Sequence, residues 1–155
     1  SYTEEELRFL TLCSSVLLRV PLQALLMLSD TQFEELVGEA LDDLPPFFQA
    51  QMSNIVVLVE KWPSRQLLRE MSVPPGETLL GLYRGIPLTE RTHAYNLVTP
   101  DTITLFQGPI EHAATEWEDG EFIDNVREEV WHTVVHEIAH HFGIDDDRLH
   151  QLGAY

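Results

Sequence analysis

Lysine and arginine are scarce in this chain. Nine of them stand against 26 aspartates and glutamates, a formal net charge of -17 over 155 residues. A surface of that sign repels phosphate backbones and no run of basic residues offsets it locally, so nucleic acid is excluded as a partner. Cysteine is nearly absent as well. Cys13 stands alone, which rules out an intramolecular disulfide and a cysteine-based zinc site and makes a reducing cytoplasm the simplest location. Long apolar runs are missing too. The most apolar stretch, "VLLRVPLQALLML" from Val16 to Leu28, has thirteen residues and is interrupted by Arg19, Pro21 and Gln23. That is short for a transmembrane segment, and the acidic "SYTEEEL" ahead of it is the wrong flank for a signal peptide. Residues 1–28 are read as an accessory helical extension, broken at Pro21, that packs on the domain or makes an oligomer contact.

What remains is ordinary globular usage, with 44% hydrophobic residues, and a length that suits one compact domain over 29–155. In "SDTQFEELVGEALDDL", Thr31 and Glu34 have the spacing of a capping box. Phe33, Leu36, Val37, Ala40, Leu41 and Leu44 then recur with the period of a one-faced helix. Pro45 and Pro46 end it and open a short helix through "FFQAQM". "NIVVLVE" (Asn54 to Glu60) is a β-branched strand, Lys61 to Thr78 a loop, and "TLLGLYRG" and "DTITLFQG" two further strands. Pro109 to Trp117 has the composition of a short helix. No internal repeat is present.

The last long element is a helix from about Glu121 to Phe142, with Asp119 as its expected N-cap and Gly143 as its stop. Val130, Trp131, Val134, Val135, Ile138, Ala139 and Phe142 fall on one broad arc. His136 and His140 lie opposite it, toward a cleft or solvent. Residues four apart on a helix stack one turn above each other, so this histidine pair can converge on one cation. Zinc accepts such imidazoles, with iron as a second candidate, and a catalytic site leaves one position to water. Glu137, beside the first histidine, is then placed as general base. A third ligand is needed. Gly143 lets the backbone reverse, so that a side chain ten residues past His136 can reach back. That residue is Asp146, with Asp145 and Asp147 as its neighbours and alternatives. His132, one turn earlier on the same face, is assigned a solvated or supporting role, and His141 a surface position. Arg91, His93 and Tyr95, in a loop after a strand, are candidates for donors to the transition state or substrate.

These residues, in "FEELVGEALDDLP", "LLGLYRGIPLTER", "PDTITLFQGPIE" and "EVWHTVVHEIAHHFGIDDDRL", resemble the minimal zincin-like metallopeptidase family of small bacterial proteins. The resemblance covers about Ser29 to Tyr155 and leaves out the N-terminal segment. It implies an α+β fold in which a small sheet, of about three or more strands, packs against the active-site helix, with helices added at the N-terminal side. It also implies zinc on His136, His140 and Asp146, with Glu137 as base. The elongated motif is similar to that of metzincins, but Met27, Met52 and Met71 all precede it and twelve residues follow Gly143. The expected substrate is therefore a peptide or flexible protein segment, docked along an edge strand such as "TITLF". The competing expectation is a zinc-stabilised binding or regulatory module without proteolytic activity. A metal-dependent ribonuclease is disfavoured by the glutamate after the first histidine and by the charge.

Overall fold

The computed structural model describes residues 27–52, 54–91 and 100–152, the last segment without the side chains of Asp146, His150 and Leu152. Helix α1 (Asp30–Asp42) begins at Ser29 rather than Thr31. The Ser29 hydroxyl accepts the Gln32 N–H at 3.3 Å, and the Gln32 carboxamide oxygen accepts the Ser29 N–H at 3.0 Å, a reciprocal capping box. The start is displaced because Leu28 is pinned from a distance. Its N–H donates to Glu111 Oε1 at 3.2 Å and its carbonyl accepts from Gln107 Nε2 at 2.9 Å, fixing the chain immediately ahead of Ser29. Phe33, Leu36, Val37 and Ala40 form the buried face expected from the sequence.

Helix α2 (Pro46–Gln51) follows, then strand β1 (Ile55–Glu60). The stretch from Lys61 to Thr78, expected to be a loop, contains a helix, α3 (Arg65–Glu70). Ser64 caps it by accepting the Leu67 N–H at 3.1 Å, a local signal that outweighs the polarity of the segment. Strand β2 (Gly81–Arg84) and a 3₁₀ turn (Leu88–Glu90) lead toward strand β3 (Asp101–Phe106). The chain ends in α4 (Gln107–Ala114), α5 (Phe122–His141) and α6 (Asp146–Leu152). Helix α5 is preceded by Glu121, not Asp119, and among the described residues no side chain caps its first turn.

The three strands form one mixed sheet in the order β1-β3-β2, with β1 parallel and β2 antiparallel to β3. This corrects one expectation: "TITLF" lies in β3, the central strand, and cannot serve as an edge. β2 is an outer strand, registered Gly81 with Leu105 and Tyr83 with Ile103. Because side chains alternate across the sheet, Gly81, Tyr83, Asp101, Ile103 and Leu105 share the face that meets the helices. There α1, α4 and α5 close over Ile103 and Leu105 with Phe33, Ile110, Val126, Val130, Val134 and Ile138. Full burial of side chains of this size stabilises by about 2 kcal/mol each. The fold is α+β, a small sheet covered by a long C-terminal helix, as expected.

Candidate metal centre and cleft

The C-terminal end of α5 is shaped by Gly143. Its φ of +78° lies in the left-handed region, where glycine alone meets no steric penalty. The Gly143 N–H donates to the His140 carbonyl at 2.9 Å and the Ile144 N–H to the Ala139 carbonyl at 3.0 Å, the paired bonds of a Schellman turn. The turn aims the Ile144 carbonyl back at the helix, where it lies 2.9 Å from His140 Nδ1. Since a carbonyl only accepts, the proton is assigned to Nδ1, and Nε2 keeps its lone pair for a ligand.

The second imidazole of the pair is close by. His140 Nε2 and His136 Nε2 are 3.0 Å apart, with the rings edge to face and centroids 4.6 Å apart. Two nitrogens on one tetrahedral zinc are about 3.3 Å apart, so the imidazole pair fits a shared cation. Among the described residues no third His, Cys, Asp or Glu joins them. Asp146 opens α6 just past the Gly143 turn, and its side chain is outside the described set. Asp145 is engaged elsewhere. Its Oδ1 accepts the Arg148 N–H at 2.9 Å and its carbonyl the Leu149 N–H at 3.0 Å, capping α6. Asp147 is exposed in the first turn of that helix.

Glu137 is only 6% exposed. Strand β2 crosses directly over it at Gly81, where a Cβ would lie 2.6 Å from Glu137 Oε1 and 2.8 Å from its Cγ. A glycine in the interior of a strand is a signal for such a close approach, and it is the clue in "TLLGLYRG" that the strand pattern alone does not use. Between β2 and α5 runs an open cleft of about 350 Å³, lined by Thr78, Leu79, Leu80 and Gly81 on one side. Glu129, His132, Thr133, His136 and Glu137 line the other. His132 is exposed within it.

Two other residues of α5 depart from expectation. His141, expected on the surface, is fully buried. It continues the stripe Val126, Val130, Thr133 and Glu137, which faces the sheet although three of its members are polar. The inner face of the sheet supplies its partners. His141 Nδ1 lies 3.1 Å from Asp101 Oδ2 and 3.3 Å from the Tyr83 hydroxyl, which itself donates to the same Asp101 oxygen at 2.7 Å. Burial, and then the Arg91 charge, hold the His141 pKa below the ordinary imidazole value, against the opposing pull of Asp101. Burial, and then Asp101, push the Tyr83 phenol up. Trp131, expected in the core, is 39% exposed and lies against the His132 ring, with centroids 5.5 Å apart.

The loop candidates divide. Arg91 directs its guanidinium to Asp101, in an ion pair with both side chains largely buried, and donates from Nε to the Ile86 carbonyl at 2.9 Å. It is thus part of the Asp101–His141 cluster. His93 and Tyr95 lie outside the described residues.

A model of the zincin-like metallopeptidase family matches residues 52–154. Among solved structures, a conserved hypothetical protein from Thermo thermophilus is 23% identical, with a TM-score of 0.47, over 74% of this chain and 94% of that one. No curated protein matches the sequence. With the family model spanning both α5 and the sheet it packs on, the chain belongs to the zincin-like metallopeptidase family.

Proposed function

We propose that the protein is a zinc-dependent peptidase acting on peptides or flexible protein segments, with His136, His140 and Asp146 as metal ligands and Glu137 as general base. The observation that carries this reading is the convergence of two imidazole Nε2 atoms at 3.0 Å, next to a buried carboxylate and at the wall of an open cleft. Asp146 enters as third ligand from its place ten residues past His136, beyond the Gly143 turn. Bound there, zinc would polarise the scissile carbonyl and make water nucleophilic near neutral pH. Glu137 moves the proton: its carboxylate takes it from the attacking water and returns it to the leaving amine nitrogen. The backbone of β2 over that carboxylate restricts its motion, and an extended substrate segment lies along this outer strand. Arg91, His93 and Tyr95 remain candidates for substrate contacts, although Asp101 already engages Arg91. The single cysteine supports a cytoplasmic location. No helix among the described residues is long and apolar enough to cross a membrane. The expected helical extension over residues 1–28, of which 1–26 lie outside the described residues and Met27 and Leu28 are not helical, is proposed to contact the domain or another subunit.

The test is cleavage of a peptide library by the zinc-loaded protein and by Glu137→Gln. The variant keeps one zinc and loses roughly a hundred- to ten-thousandfold in kcat/KM. Chelation abolishes cleavage; relative to free zinc at a hundredfold above Kd it lowers Tm by roughly 5–10 °C. A zinc-bound Glu137→Gln protein that cleaves as fast as wild type would refute the mechanism. A wild type that loses Tm on chelation yet cuts no peptide would instead establish the zinc-stabilised binding module.

A further inference from the structure

Two side chains of the cleft wall, Glu129 and His132, are left unused by the metal centre, and tryptophans adjoin them. Glu129 lines the cleft wall, and its Oε2 accepts the Trp117 Nε1–H at 3.2 Å, so the carboxylate is oriented. The His132 ring is flanked by Trp117, with centroids 6.3 Å apart, and by Trp131 at 5.5 Å. Both indoles stay exposed although the core next to them is well filled. Indole faces beside an oriented carboxylate are the surroundings that a cationic side chain prefers. Among the described residues no lysine or arginine lines the cleft, and Arg127, the arginine of α5, is committed to Glu39 and Asp124. The net charge of -17 adds a long-range attraction for cations.

We infer that Glu129, His132 and the adjoining Trp117 form a subsite for a Lys or Arg side chain of the substrate, so that the peptides taken are basic ones. The inference rests on the peptidase reading for its register. Glu129 precedes His136 by seven helical residues, about 10 Å along the axis. An extended peptide advances about 3.3 Å per residue, which sets the cationic side chain about three residues from the scissile bond, on one side of it. At that separation, salt largely screens the subsite from the charge of a divalent ion, the Debye length being about 8 Å.

The experiment has two arms on the zinc-loaded full chain. In the first, nine-residue peptides with Arg, Ala or Glu scanned through each position are assayed for cleavage. In the second, the same peptides are titrated calorimetrically into Glu137→Gln, so that binding is read without turnover. Arg about three residues from the cut bond is expected to raise kcat/KM, and tighten binding, about fivefold over Ala, with Glu below both. Glu129→Gln, which can still accept from Trp117, and Trp117→Ala each bring the Arg-to-Ala ratio toward one. Cleavage without a basic preference at that register, or a ratio unchanged in Glu129→Gln, overturns the subsite and leaves the peptidase standing. Tighter binding of Arg peptides with no cleavage of any peptide overturns the peptidase and upholds the cation site.

Discussion

At Gly143 the backbone holds a φ of +78°, and a Cβ added there would collide with Thr89 Oγ1. Gly143→Ala therefore combines a conformational cost of about 1 kcal/mol with a steric one, for a loss of roughly 2 kcal/mol. The same residue turns the Ile144 carbonyl onto His140 Nδ1. Displacing such an anchor lowers metal affinity by roughly ten- to a hundredfold. Denaturant unfolding of the metal-free protein reads the first effect and a competitive zinc titration the second; wild-type zinc affinity in the variant would remove the carbonyl from the account. The histidine pair, Glu137 and Gly143 were legible in the sequence because their spacing on one helix fixes their geometry locally. His141 was not. Its carboxylate partner is forty positions away and its phenol partner 58. A helical wheel that assigns the buried face by apolarity alone has no means of turning a histidine inward.

The elements show the same division between local and distant causes. The one-faced pattern of α1 was readable, but its first residue was not, because Gln107 and Glu111 fix Leu28 from 79 and 83 positions away. The strands were readable as strands, whereas sheet order depends on pairing partners, and a buried centre such as β3 looks from composition like any alternating strand. The crossing of β2 over α5 gives a test at this scale. A methyl group at Gly81 would lie 2.6 Å from Glu137 Oε1, so Gly81→Ala must push either the strand or the carboxylate aside. A displacement of about 1 Å at a catalytic group costs on the order of a hundredfold in rate. On the proposed mechanism the substitution leaves the histidines in place, so kcat/KM should fall by about that factor while the zinc stoichiometry stays that of the wild type. Zinc lost together with activity would mean that the strand supports the helix as a whole rather than the position of Glu137.

Over the whole molecule, two cations sit at joints between helices: Lys61 ties Asp30 of α1 to Gln107 of α4, and Arg127 ties α5 to Glu39 of α1. The first joint ends at Glu111, a carboxyl 3% exposed whose Oε1 takes the Leu28 N–H and the Gln107 amide, while Oε2 has no hydrogen-bond partner among the described residues. Burial dominates and raises its pKa above the ordinary 4.5. A carboxyl that binds its proton more tightly folded than unfolded contributes stability that is complete below pH 4.5 and is lost as pH rises through the higher folded value. Self-repulsion among the other carboxylates also destabilises the fold over this range, so the wild-type slope alone is not diagnostic. Glu111→Gln separates the two. Its amide oxygen can keep the bonds to Leu28 and Gln107, and any cost of burying the amide nitrogen is the same at every pH. With chelator present to remove metal linkage, urea midpoints from about pH 4 to 8 should fall more steeply for wild type than for the variant, the curves running parallel below pH 4.5. Equal slopes throughout would mean that Glu111 ionises in the fold as freely as in the unfolded chain, which its burial opposes.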